Sequence, residues 1–280
     1  MLHDFLDLLS YTNPLAGWRL LLSPEFRPWA ALIAGVFGVA MGSFLTMATY
    51  RLPLDEPIGM KRSHCTSCAH HLKLIDLIPM LSWASTRGRC RYCKTRVSIR
   101  YPLTELATAL GTAFMVWHVG VTWEALALSG LWWCIVAIVI TDLEHTIILD
   151  EVQIAVALFG IVYAFALNRD AEIVVGGALA GGLIGLGLKY GFIYFRNKDG
   201  LGLGDVKFLA VAGIWLGSIA NFVPFLFISG LLGIISGLTW RAFGLDERFP
   251  FGPALAFALL LCVLCPDAAN GFWKLYGLLH

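Results

Sequence analysis

The sequence predicts an all-α polytopic membrane protein of about eight transmembrane helices, with a small cytoplasmic zinc-binding insert between helices 1 and 2. Three observations carry that expectation. Of the 280 residues, 58% are hydrophobic and 14% charged, and mean hydropathy is +0.75. Soluble domains run at about 45–50% apolar and about 25% charged residues, so the surplus here must face lipid. The apolar residues also fall in continuous runs, which excludes the alternating pattern of a membrane β-barrel. Finally, the cations are concentrated in one stretch between two such runs. The net charge of +1, with no basic domain, argues against a nucleic-acid partner.

A helix needs about 20 mostly apolar residues to cross the hydrocarbon. Eight segments approach that length: 29–50, 103–119, 123–140, 152–167, 173–195, 206–219, 222–240 and 253–276. The sixth is short. Residues 1–28 read as an N-terminal interfacial segment. They do not read as a secretory signal, because His3, Asp4 and Asp7 stand where a basic region belongs. Segment 51–102 holds ten of the twenty Lys and Arg residues and three acids. With that segment inside and the sides alternating, fifteen cations lie inside and four outside, as the positive-inside rule requires. Both termini then face out. The expected organisation is an interfacial segment 1–28, a first span 29–50, a cytoplasmic tetracysteine zinc domain 51–102 and a transmembrane catalytic core 103–280.

The insert carries Cys65, Cys68, Cys90 and Cys93 as two CxxC pairs with twenty-one residues between them. Two such turns place four thiolates tetrahedrally around zinc, each at about 2.3 Å. An insert of about fifty residues, poor in large apolar side chains, benefits from a metal staple. A reducing cytoplasm argues against two disulfides. His64, His70 and His71 stand nearby as solvated bystanders, since four cysteines complete the shell. Cys262 and Cys265 form another CxxC inside an apolar run and read, like Cys134, as small buried hydrophobes.

Two acids stand apart from the loops. Asp142 ends the third span, and Asp205 opens the sixth behind Gly200-Leu201-Gly202-Leu203-Gly204. Both helix ends are cytoplasmic in the topology above, and ionisable groups at such positions are functional candidates. Two carboxylates held close share one proton, the requirement of aspartyl proteolysis. A positive helix end favours Asp205 as the base and Asp142 as the acid, but a coupled pair leaves that assignment open in the sequence. Gly202 and Gly204 leave backbone open to an extended peptide, with Lys207 following in the same loop. GxGD alone also reads as a flexible turn with Asp205 as N-cap. Glu144 and Asp150 are rivals to Asp142; Asp150 reads as a helix cap and Glu144 as loop. A glycine stripe at Gly177, Gly181 and Gly185 reads as helix packing rather than a substrate groove.

Several motifs follow one another in order: Gly42-Ser43-Phe44, Tyr50-Arg51-Leu52-Pro53, the two cysteine pairs with their flanks, Ile78-Pro79-Met80-Leu81-Ser82-Trp83, and Arg100-Tyr101-Pro102-Leu103-Thr104-Glu105. Asp142, Gly202-Leu203-Gly204-Asp205-Val206-Lys207 and Pro250-Phe251-Gly252-Pro253 complete the set. Over residues 30 to 260 the chain resembles the type IV prepilin peptidases, bifunctional leader peptidases and N-methyltransferases among the GxGD-type intramembrane aspartyl proteases. The resemblance implies cleavage after a glycine in the basic leader of type IV prepilins and type II secretion pseudopilins. Methylation of the new N-terminal amine from S-adenosylmethionine follows. It implies a bacterial inner (cytoplasmic) membrane location with the active site facing the cytoplasm, catalysis by Asp142 and Asp205, and zinc on Cys65, Cys68, Cys90 and Cys93.

The chain departs from the family pattern twice. Thr46 stands where Asn is frequent, and Leu149 replaces the proline of an Ile-Pro-Asp or Leu-Pro-Asp stretch, a change expected to loosen that loop. No S-adenosylmethionine fingerprint is present. A proton-coupled transporter would show internal repeats and charges deep in the bilayer; the sequence shows no convincing repeat, and both aspartates sit at helix ends. A zinc-bearing scaffold would leave the two aspartates unexplained. Which pilin is processed and the oligomeric state are not legible in the sequence.

Overall fold

The computed structural model describes residues 25–59, 63–197, 200–244 and 249–265. Most of the expected interfacial segment (1–24) and the end of the last expected span (266–276) lie outside the described residues. Among the described residues there are nine α-helices and no strand longer than a single bridge. They are α1 (Arg27–Arg51), α2 (Leu81–Ser85), α3 (Arg100–Val119), α4 (Trp123–His145), α5 (Asp150–Ala166), α6 (Ala171–Arg196), α7 (Leu203–Leu216), α8 (Phe222–Ala242) and α9 (Gly252–Leu264).

Each of the eight apolar segments has its helix. Four stretches are long and apolar enough to cross a bilayer unaided: Arg27–Leu54, Trp123–His145, Ala171–Arg196 and Ile219–Ala242. The others fall short in length or purity. Helices α5 and α7 have 17 and 14 residues, or about 25 and 21 Å at 1.5 Å per residue. Arg100, Glu105 and His118 dilute α3.

The chain divides into two compact units, one of residues 1–48 with 57–129, the other of 49–56 with 130–280. In the first, α1 packs on α3 through glycines. A Cβ at Gly38 would lie 2.7 Å from the Thr108 carbonyl oxygen, and one at Gly42 would meet Thr108 Oγ1. The α3 face is a column of buried threonines, Thr104, Thr108 and Thr112. Each hydroxyl returns to the carbonyl four residues back at 2.7–2.8 Å, which satisfies it inside an apolar interface. Thr46 makes the same bond to Gly42 at 2.8 Å, so this departure from the family pattern keeps a satisfied, buried side chain.

In the second unit, α7 is the centre. Phe208, Leu209, Ala212 and Trp215 are fully buried, so this short helix meets protein where a longer one would meet lipid. Its closest neighbour is α6. A Cβ at Gly177 would run into the Gly213 carbonyl, one at Gly213 into the Gly177 carbonyl, and one at Gly181 into the Leu209 carbonyl. Backbones this close require glycine, and the stripe is helix packing, as the sequence suggests. The opposite face of α6 exposes Leu179 and Leu183, the apolar surface expected toward lipid. At the far end of α7, Trp215 Nε1 donates to the Val156 carbonyl at 3.0 Å and Arg169 donates to the Trp215 carbonyl at 2.6 Å. The αL residue Gly217 (φ 66°) then closes the helix.

Replacing Gly177 by Val should cost about 1–3 kcal/mol, because the packed carbonyl of Gly213 cannot retreat. Gly176→Val, with open space at its Cβ position, should be near neutral. Thermal unfolding of the two variants in detergent, side by side, checks the contrast.

Candidate active site and metal centre

Asp142 lies in the last turn of α4 and is buried. That end of a helix carries partial negative charge and disfavours a carboxylate. The compensation comes from another helix. Gly252, the first residue of α9, donates its N–H to Asp142 Oδ2 at 2.7 Å. Orphan N–H groups at a helix start are natural carboxylate partners. A Cβ at Gly252 would sit 2.8 Å from that oxygen and 3.1 Å from Ile138 and Ile148, so the approach requires glycine. In the sequence this role is carried only by the Gly252-Pro253 opening of a helix within Pro250-Phe251-Gly252-Pro253.

Asp205 is half-buried in the first turn of α7. The N-cap is Gly202, not Asp205, and its N–H donates to Asp205 Oδ2 at 3.2 Å. Both carboxylates therefore stand at helix N-termini. They also lie within electrostatic reach of one another. Ile148 is the spacer between their supports: its side chain would meet a Cβ at Gly204 at 3.5 Å and one at Gly252 at 3.1 Å.

The remaining candidates sort cleanly. Lys207 pairs with Asp150 at 2.8 Å, both well exposed, an ion pair of little energetic weight. Asp150 is the first residue of α5, with Leu149 as N-cap. Leu149 adopts φ −66° and ψ 139°, a conformation that proline itself would take. Glu144 is exposed. An apolar cavity of about 340 Å³ adjoins both supports. Leu201 lines it just before the Gly202–Asp205 turn and Phe251 just before Gly252, with Leu188, Leu209, Leu226 and Leu255 around them.

The insert in the first unit is built of two matching turns. Cys65 N–H donates to the His70 carbonyl and Cys90 N–H to the Thr95 carbonyl, at 3.0 and 2.8 Å. Ala69 and Lys94, each directly after the second cysteine of its pair, take left-handed φ of 54° and 62°. All four sulfurs lie within 4.8 Å of one another, and Cys65 Sγ and Cys93 Sγ are 3.8 Å apart. A tetrahedral ZnS₄ centre with bonds of about 2.3 Å has sulfur edges of about 3.8 Å. Disulfide sulfurs would be about 2.05 Å apart, and all four cysteines are free thiols. Among the described residues 57–99, only Gly88 and Cys90 are buried. The donor set, its spacing and the missing core all fit a structural zinc ion held by these four cysteines.

The thiols themselves are poised unequally. The Thr95 hydroxyl, with its backbone N–H, pulls Cys93 down to about 6. At Cys68 the His70 N–H pulls downward, but burial and the adjacent Cys65 and Cys93 sulfurs prevail and push it up to about 11. Four thiolates so close need a cation to ionise together. The histidines are not part of the set: His70 lies tilted against Tyr92, ring centroids 3.7 Å apart, and His64 and His71 bridge across the first turn. Asp76 ties the second turn to the segment between the two turns, accepting from Lys73 N–H, Arg91 and Tyr92 at 2.8–3.1 Å. Burial favours its neutral form, yet the Lys73 N–H and these two side chains prevail and hold its carboxyl below the usual range. Glu105 on α3 accepts the Met80 N–H at 2.6 Å and anchors the insert's far end.

Comparison with known proteins now bears on this arrangement. Residues 36–119 match the bacterial peptidase A24 N-terminal domain, and residues 128–238 match the type IV leader peptidase family. A prepilin leader peptidase/N-methyltransferase of Aeromonas hydrophila is 33% identical over 278 residues, covering 88% of this chain and 94% of that protein. Proteins of the same description from Stutzerimonas stutzeri and Pseudomonas putida are 31% and 33% identical over 264 and 262 residues, covering 84% of this chain in each case and 91% and 90% of the relatives. The chain belongs to the type IV leader peptidase family. No solved structure matches it. The family model covers both aspartates, and the N-terminal model covers all four cysteines.

Purified protein should contain about one zinc per chain by metal analysis. Cys65→Ser or Cys90→Ser should remove it and make the insert protease-sensitive, because the described residues of 57–99 bury almost nothing else. Wild-type protein free of zinc would defeat the assignment.

Proposed function

We propose that Asp142 and Asp205 are the catalytic dyad of this leader peptidase, working at the cytoplasmic face of the bacterial inner membrane. The observation that carries the reading is that two acids sixty-three positions apart are both held at helix N-termini, each by a backbone N–H, within reach of each other's charge. Family membership makes the chain a prepilin peptidase with N-methyltransferase activity. Its substrates are then type IV prepilins and type II secretion pseudopilins. The topology that fits is eight spans with both termini outside, a cytoplasmic insert at 51–102 and a catalytic core at 103–280.

In this mechanism the ionised member takes a proton from water, and the water attacks the scissile carbonyl. The protonated member donates to the carbonyl oxygen, and the tetrahedral intermediate collapses as the leaving amine is protonated. Each carboxylate receives a backbone N–H at a helix start, so the pair shares one proton and either member serves as base while the other holds it. The turn at Gly202 and Leu203 is exposed, and Lys207 keeps it beside Asp150. The apolar cavity at Leu201 and Phe251 suits the start of a substrate's hydrophobic helix. S-adenosylmethionine supplies the activated methyl group for the freed amine.

Asp142→Asn and Asp205→Asn should each lower kcat for leader cleavage by about a thousandfold or more while the protein still folds. Mass spectrometry of a prepilin peptide incubated with each variant, with and without S-adenosylmethionine, reads both activities. Cleavage retained in either variant would remove the dyad.

A further inference from the structure

The buried positions of α6 are Gly177, Gly181, Gly185 and Lys189, four residues apart on one face. Their partners run the other way along α7. Gly177 packs on Gly213, Gly181 on Leu209 and Gly185 on Val206. One turn further, the series passes the start of α7, and the side chain there is a lysine. Lys189 is 8% exposed, and its Nζ donates to the Leu201 carbonyl at 3.0 Å. An ammonium inside an apolar helix is costly and calls for a function.

The carbonyl of Leu201 and the N–H of Gly202 belong to one peptide group. That N–H is the donor to Asp205 Oδ2. The order of contacts is Lys189 ammonium, Leu201 carbonyl, Gly202 N–H, Asp205 carboxylate. We propose that Lys189 is a positioning residue for Asp205, acting through the Leu201–Gly202 peptide. A cation on the carbonyl polarises the peptide and strengthens its N–H as a donor. It also fixes the plane of the peptide, and with it the orientation of the carboxylate. The placement opposes the positive end of α7, and the Asp205 carboxylate offsets that opposition. Lys189 lies within electrostatic reach of Asp205.

The inference rests on Asp142 and Asp205 being the peptidase dyad. Its test uses full-length protein in detergent and a synthetic peptide with a basic leader, a glycine, a phenylalanine and an apolar segment. Lys189→Met should lower kcat by about 10- to 100-fold, the weight of a hydrogen bond from a charged donor, with KM within about twofold. Lys189→Arg, which restores a cationic donor, should recover kcat to within about threefold of wild type. If the methionine variant does not purify folded, Lys189→Gln takes its place and should fall below the arginine variant. A folded Lys189→Met or Lys189→Gln variant with kcat within about twofold of wild type overturns the relay, as does an arginine variant impaired as severely as the uncharged one. Asp205→Asn, assayed in parallel, separates the two failures: an inactive Asp205→Asn beside a normal Lys189→Met sinks the relay alone, whereas an active Asp205→Asn sinks the dyad.

Discussion

A carboxylate at the C-terminal end of its own helix stands at the unfavourable pole, and Asp142 is such a group. The N–H of Gly252 across the unit, 2.7 Å from Asp142 Oδ2, reverses that disadvantage by bringing the positive pole of α9 to it. The contact constrains much else. It demands a residue without a Cβ at 252, it places α9 against the end of α4, and it leaves Ile148 packed between Gly252 and Gly204. Asp205 receives the equivalent support from its own helix start. Each acid is thus held by backbone, which has no rotamers to lose.

The glycines of α6 and α7 serve the same geometry from the other side. Reciprocal contacts at Gly177 and Gly213 set the separation of the two helices, and Gly181 and Gly185 carry it toward the start of α7. With only 14 residues, α7 relies on burial of Phe208, Leu209 and Trp215 for its stability. Its ends are closed by named contacts: Gly217, Arg169 and Trp215 at one, and Gly202, Asp205 and Lys189 at the other. A short helix pinned at both ends holds a carboxylate in register better than a long one free to slide.

The metal centre follows a different economy. Among the described residues of 57–99 almost nothing is buried, and their order comes from local turns, the Asp76 junction and four convergent sulfurs. The four sulfurs fit a tetrahedral ion, which would satisfy four mutually repelling thiolates at once.

Much of this was legible in the sequence. Apolar run length and the clustering of cations determined the helical membrane class, since lipid tolerates no unpaired backbone. CxxC spacing singled out the four cysteines, because such a turn brings two sulfurs together by local geometry. Asp142 and Asp205 stood out as acids at the ends of apolar runs. Long-range contacts decided the rest. That Gly252 supports Asp142 is a relation across 110 positions, which no local pattern encodes. Asp205 looked like a possible N-cap, yet the cap is Gly202 and the carboxylate reaches back to it; a side chain's direction depends on the turn actually formed. Lys189 lies within the apolar 173–195 segment, and only the antiparallel register of α6 on α7 brings it to the peptide beside Asp205. The sequence by itself settled which residues are unusual for their surroundings; the tertiary structure decided which of them meet, because that depends on packing distances summed over helices far apart in the chain.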